Sequence, residues 1–114
     1  MTAFSADLSR HFHGHVMTVT GELDFHSGMQ IREATKTATR QWTLPHARLL
    51  IDLAEMTFID GAGLGVLMDS RDAVMASSRQ FQLSHASAKM CRLMTITGLW
   101  DLIDSQIEPA ELVW

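Results

Sequence analysis

Residues 49–67, LLIDLAEMTFIDGAGLGVL, constrain the fold more than any other part of the chain. The apolar run Leu49-Leu50-Ile51 has the pattern of a strand covered on both faces, as parallel strands are. That strand is expected over 47–53. A short loop and the pair Phe58-Ile59 then lead into Asp60-Gly61-Ala62-Gly63-Leu64. Asp60 suits an N-cap, because its carboxylate accepts from the free amides of a helix's first turn. Beyond it Leu64, Leu67, Arg71 and Val74 recur at helical spacing, and all but Arg71 are apolar. Gly61, Gly63 and Gly65 crowd the start of this helix at a cost of about 1 kcal/mol each relative to Ala. Close approach of another backbone, or of a partner, to the helix start would offset that cost.

Around this unit the rest of the chain falls into order. Residues 4–10 alternate weakly and predict an edge strand, His11-Phe12-His13-Gly14-His15 a turn, and Val16 to Leu23 a second strand of an antiparallel hairpin. Ser27 is the expected N-cap of a helix reaching Trp42, with Ile31, Ala34, Ala38 and Trp42 on one face. Thr35, Thr37 and Thr39 lower its intrinsic propensity, so packing must hold it. Residues 79–84, RQFQLS, predict another strand. Ser87 caps a further helix with Met90, Leu93, Met94 and Thr97 on one side and Gly98 at its end. Leu99 to Ile103 is a short apolar turn or helix, and 105–114 follows neither period.

Strands and helices that alternate this way predict an α/β fold: a mostly parallel sheet with an antiparallel edge hairpin, covered by helices. At 114 residues the chain is expected to be one domain, 1–114. Asp24, closing the second strand, and Asp60 both fall where strands give way to helices, so they are expected at one end of the sheet. A net charge of −4 argues against a general nucleic-acid binder. Cys91 is the single cysteine, which excludes an intrachain disulfide and favours a reducing, cytoplasmic setting. No run of about 18 apolar residues is present for membrane insertion, and no basic, then apolar, leader opens the sequence.

GELD at 21–24, IDLAEMTFIDGAGLGVL at 51–67 and SHASAKMCRLMTITGLWDLID at 84–104 together resemble a STAS domain, and specifically the bacterial anti-sigma factor antagonists. The resemblance implies a non-enzymatic protein that works by partner switching. Such an antagonist binds an anti-sigma factor, often a serine kinase, and so releases a sigma factor. It also implies that a Ser or Thr in the motif Asp-Ser-Ser/Thr-Gly-Leu is phosphorylated to break the complex. A phosphate is tolerated at a free helix N-terminus but costly inside a close interface. Here Asp60, Gly63 and Leu64 match that motif, whereas Ala62 stands at the acceptor position and Gly61 before it. The expectation is an antagonist that phosphorylation at this site cannot switch, with Asp24, Asp60, Gly61, Ala62, Gly63 and Leu64 as its partner surface. The alternatives are a STAS interaction subunit of a stress-signalling complex or lipid-transport ATPase, and a small-ligand or nucleotide-binding module.

Other constellations weigh less. His11, His13 and His15 would share a face of a continuous strand, but Gly14 and the lack of Cys or carboxylate partners favour a solvated hairpin tip over a metal site. Asp24 and Asp60 lie in no nucleophile motif, so cap and turn roles are expected and no catalytic residue is assigned. The glycines at 61, 63 and 65 lack the spacing and the Lys-Ser/Thr of a phosphate loop. Met68, Met75, Met90 and Met94 read as core filler, and Cys91, despite Lys89 and Arg92 nearby in sequence, as an unreactive thiol. No cofactor and no metal are expected.

Overall fold

The computed structural model describes residues 3–42 and 47–97. The elements run β1 (Ser5–His11), β2 (Gly14–Leu23), α1 (Gly28–Gln41), β3 (Arg48–Ile59), α2 (Gly61–Ala76), β4 (Gln80–Ser84) and α3 (Ala88–Thr97). The four strands form one sheet in the order β1-β2-β3-β4. β1 pairs antiparallel with β2, and β2, β3 and β4 run parallel. The predicted α/β architecture with its edge hairpin is therefore what the chain adopts. The terms Gly98, 99–103 and 105–114 lie outside the described residues, as do the side chains of Leu93, Met94, Thr97 and Cys91.

One face of the sheet carries the core. Met17, Val19 and Leu23 of β2, Leu49, Ile51 and Leu53 of β3, and Phe81 and Leu83 of β4 pack against Ile31 and Ala38 of α1 and Leu64, Val66, Leu67 and Val74 of α2. Ala34 and Trp42 sit at the margin of the same cluster, as the helical spacing predicted. α1 and α2 lie side by side. Where they meet, the Thr35 hydroxyl donates to the Ile31 carbonyl at 2.8 Å, which leaves Ser70 to donate to Thr35 across 2.7 Å. A buried hydroxyl pair so satisfied fixes how the two helices abut at little net cost. Of the methionines, Met90 is buried and Met68 partly so, but Met75 is 52% exposed and is no core filler.

Two boundaries and one cap contact differ from expectation. The hairpin turn is only Phe12-His13, because Gly14 and His15 already pair with His11 and Arg10. β3 does not stop at Leu53; it continues through Ile59. Its pairing with β2 shifts register between Thr18 and Thr20 and again between Gly21 and Glu22, so β3 carries an extra residue at each point. Across these bulges the buried residues are Leu53, Met56 and Ile59, a spacing of three that hides the strand's period of two. Asp52 serves the first bulge: its Oδ1 accepts from the Ala54 amide at 3.0 Å and meets Nδ1 of His85 at 3.1 Å. Finally, Ser27 holds the N-cap position of α1 as expected but makes no side-chain cap bond to the helix. The Ser27 backbone is already helical, and the Asp24 carboxylate accepts from its amide.

Candidate partner-binding end of the sheet

β2 and β3 finish level, with Leu23 paired to Ile59, so Asp24 and Asp60 emerge at the same end of the sheet. Each leads into a helix, Asp60 directly and Asp24 through the turn 25–27. Asp60 has an extended backbone, and its Oδ1 accepts from the Gly63 amide at 2.8 Å. Its carbonyl takes the Leu64 amide at 2.9 Å. Asp24 holds a reciprocal box: its Oδ1 accepts from the Ser27 amide at 2.9 Å, and its own amide donates to the Ser27 hydroxyl oxygen at 3.0 Å. The Ser27 hydroxyl donates to the Glu22 carbonyl at 2.8 Å, tying the loop back to β2. The same hydroxyl lies 3.1 Å from Asp24 Oδ1, and the Ser27 amide foremost, with this hydroxyl next, holds the Asp24 carboxyl below its ordinary range.

The three glycines separate by role. A Cβ on Gly63 would collide with the Leu23 carbonyl oxygen, so this helix start is pressed against the end of β2. Gly61 and Gly65 meet nothing: a Cβ at either would point into open space. Of the two expected reasons for the glycines, approach of another backbone or of a partner, the backbone contact is present at Gly63. Ala62 is exposed beside Gly61 in the first turn, while Leu64 is buried in the core. Asp60, Gly61 and Ala62 therefore present surface, and Gly63 and Leu64 position it. A phosphate at this helix start would face the Asp60 carboxylate, which already holds the Gly63 amide, so the helix end does not offer an anion cradle.

Two aromatic residues flank the acidic pair and were not singled out from the sequence. Phe25, directly after Asp24, is 71% exposed, and Phe58, two residues before Asp60, is 39% exposed. The signal was present in the run Met56-Thr57-Phe58-Ile59. Once Ile59 is placed inward, Phe58 must face out, but that inference needs the strand to be recognised first. No lysine or arginine lies in segments 21–28 or 54–62, which hold Glu22, Asp24, Glu55 and Asp60. The end is acidic with apolar knobs.

The histidine reading is corrected. His15 is 2% exposed, with Nε2 2.9 Å from the Gln41 side chain and Nδ1 accepting from the Trp42 indole N–H at 3.0 Å. It locks the end of α1 to β2 rather than standing at a solvated tip. Among the described residues no three His, Cys, Asp or Glu converge as a metal site, and no helix is long and apolar enough to cross a membrane. Between α1 and α2 a groove of about 480 Å³, lined by Met29, Lys36 and Ala73 among others, is bridged by Arg32 and Asp69 at 2.8 Å. It lies along the helix flanks and does not include residues 60–64.

A four-stranded mixed sheet of this order, with helices opening beside the ends of two parallel strands, defines a class of small α/β domains. The family model described as the Mlab STAS domain matches residues 6–104, and the chain belongs to the STAS domain family. Within it, the chain is 32% identical over 88 residues to the anti-sigma-B factor antagonist of Bacillus subtilis, covering 77% of each protein. It is 30% identical over 86 residues to the anti-sigma-B factor antagonist of Listeria monocytogenes, covering 75% of this chain and 73% of that one. The structure of the Bacillus cell fate determinant SpoIIAA in its phosphorylated form superposes with a TM-score of 0.70 at 24% identity, over 96% of this chain and 93% of that one. The unphosphorylated form of the anti-sigma factor antagonist SpoIIAA gives 0.73 at 23% identity, over 96% and 90%.

Proposed function

We propose that this chain is an anti-sigma factor antagonist whose complex is not ended by phosphorylation at the start of α2. In this reading the acidic end of the sheet, formed by Asp24, Asp60, Gly61 and Ala62 and shaped by Gly63 and Leu64, binds an anti-sigma factor of the serine-kinase type and frees a sigma factor. The observation that carries it is Ala62: it is exposed in the first turn of a helix capped by Asp60, at the motif's acceptor position, yet bears only a methyl group. Phe25 and Phe58 support a protein partner, since exposed aromatic residues beside an open backbone surface supply buried anchor area on association. The protein performs no chemistry of its own; it acts by occupying its partner.

The test is calorimetric titration of the purified chain against the kinase-type anti-sigma factors of the same organism, with and without ATP. The wild-type complex is expected to ignore ATP. Ala62→Asp should weaken it about a hundredfold through a desolvated, unpaired charge. Ala62→Ser should bind normally until ATP is added. ATP-dependent loss of the wild-type complex, with phosphate recovered on exposed Thr57, would sink the proposal. A second reading, an interaction subunit of a stress-signalling complex or a lipid-transport ATPase, draws on the same missing hydroxyl, because a permanent subunit has no need of a phosphate switch. Co-purification with such an assembly, undisturbed by Ala62→Asp, would select it.

A further inference from the structure

At the opposite end of the sheet the β1–β2 turn, the last turn of α1, the start of β3 and the α2–β4 connection come together. Segments 9–16, 37–42, 47–50 and 74–81 carry Arg10, Arg40, Arg48 and Arg79 with His11, His13 and His15, and no carboxylate. The assembly is held by side chains. Arg10, His11, Phe12, Gln41 and Trp42 line one small hollow. The Arg79 guanidinium stands 5.9 Å from the Trp42 ring centroid and donates to the Ser77 carbonyl at 2.7 Å. The Arg48 amide donates to the His13 carbonyl at 3.0 Å, binding the turn to β3. From this base Phe12 projects at the hairpin tip, 74% exposed, its ring edge-on to His13 at 4.7 Å.

A large apolar ring projecting at a tip, with Arg10 beside it and Arg40 and Arg79 in the segments gathered below, matches one environment well: the boundary where anionic headgroups meet acyl chains. The ring enters the apolar layer and the cations stay at the phosphates. A nucleic acid would call for a cationic track with several stacking rings, and this tip offers a single projecting phenyl on a chain of net charge −4. We propose that the β1–β2 tip docks this protein peripherally on an anionic lipid bilayer, with Phe12 entering the interface and Arg10, Arg40 and Arg79 facing the headgroups. The charge asymmetry sets the orientation, because the same surface repels the acidic end and holds it toward solution. The proposal is independent of which protein that acidic end binds.

Co-sedimentation of the full chain with vesicles tests it, using phosphatidylcholine alone against an equal mixture with phosphatidylglycerol. Binding is expected to the mixture at low salt, to be absent on phosphatidylcholine alone, and to fall as salt screens the headgroups. Phe12→Ser should lower partitioning about tenfold, and Arg40→Glu about fivefold or more. Both residues are exposed, so the unfolding transition of each variant should match wild type. Phe12→Trp should keep binding and add a blue-shifted emission on vesicles beyond that of the wild-type tryptophans. No pelleting with the mixed vesicles at low salt would overturn the proposal, as would equal pelleting of wild type, Phe12→Ser and Arg40→Glu. Release by inorganic phosphate well beyond that given by sodium chloride of equal ionic strength, or capture of single-stranded RNA in place of vesicles, would overturn it too by reassigning the cations.

Discussion

The two ends of the sheet are built on different principles. At the acidic end the contacts reach the main chain: the Asp24 and Asp60 carboxylates cap backbone amides, and Gly63 is pressed on the Leu23 carbonyl. The outward side chains there are either very small or exposed. At the basic end side chain packs on side chain as well, with His15 between Gln41 and Trp42, and Trp42 under Arg79. At the acidic end Asp24 and Asp60 are committed to their caps, while the exposed Gly61, Ala62 and Phe25 can vary with a partner. An end held by its side chains resists such variation, except at its projecting tip.

Substitutions can break this contrast or sharpen it. The largest effect is expected for Gly63→Ala, which should lose about 3 kcal/mol in denaturant unfolding, because a carbonyl oxygen cannot yield as a flexible side chain does. Next, His15→Ala should cost about 2 kcal/mol by stranding the Trp42 indole N–H and opening a hole beneath it. Gly61→Ala and Gly65→Ala should be neutral or stabilising by up to about 1 kcal/mol in the same measurement, since both positions are helical and open. Equal losses at Gly61, Gly63 and Gly65 would refute the separation of their roles.

The smallest effect concerns pH. The Asp24 carboxyl is held below its ordinary value in the folded chain. Its stabilising contribution is therefore present above the ordinary carboxylate pKa of about 4 and is lost as pH falls through the lowered folded value. Thermal midpoints of wild type and Asp24→Ala should differ at neutral pH and draw together in acid. A gap that does not narrow would show that the loop is held without the carboxylate's charge.

Much of this was legible in the residues. The order of elements, the inward faces of α1 and α2, the cap at Asp60 and the cap of α3, where Ser87 Oγ accepts from the Met90 amide at 3.1 Å, follow from periodicity and capping chemistry. What stayed hidden depends on pairing between distant residues. The far half of β3 read as a loop because its bulges are defined only by its register with β2. Ser27 stands at the cap position its residue type suggests, but its hydroxyl turns back to Asp24 and Glu22 instead of the helix, a pairing the spacing alone does not reveal. His15 read as solvated because nothing local reveals Gln41 and Trp42 above it.

The pair of bulges in β3 also works as a phase correction. A strand turns its side chains alternately up and down, so one extra residue exchanges inside for outside in everything that follows. The second extra residue exchanges them back, and Ile59 points inward like Leu53 while Asp60 arrives at the surface in step with Asp24. Length changes between 53 and 59 are consequently governed by parity. A single insertion or deletion would bury Phe58 or its neighbour in place of Ile59 and rotate the whole of α2's entry, whereas paired changes leave the acidic end where it is.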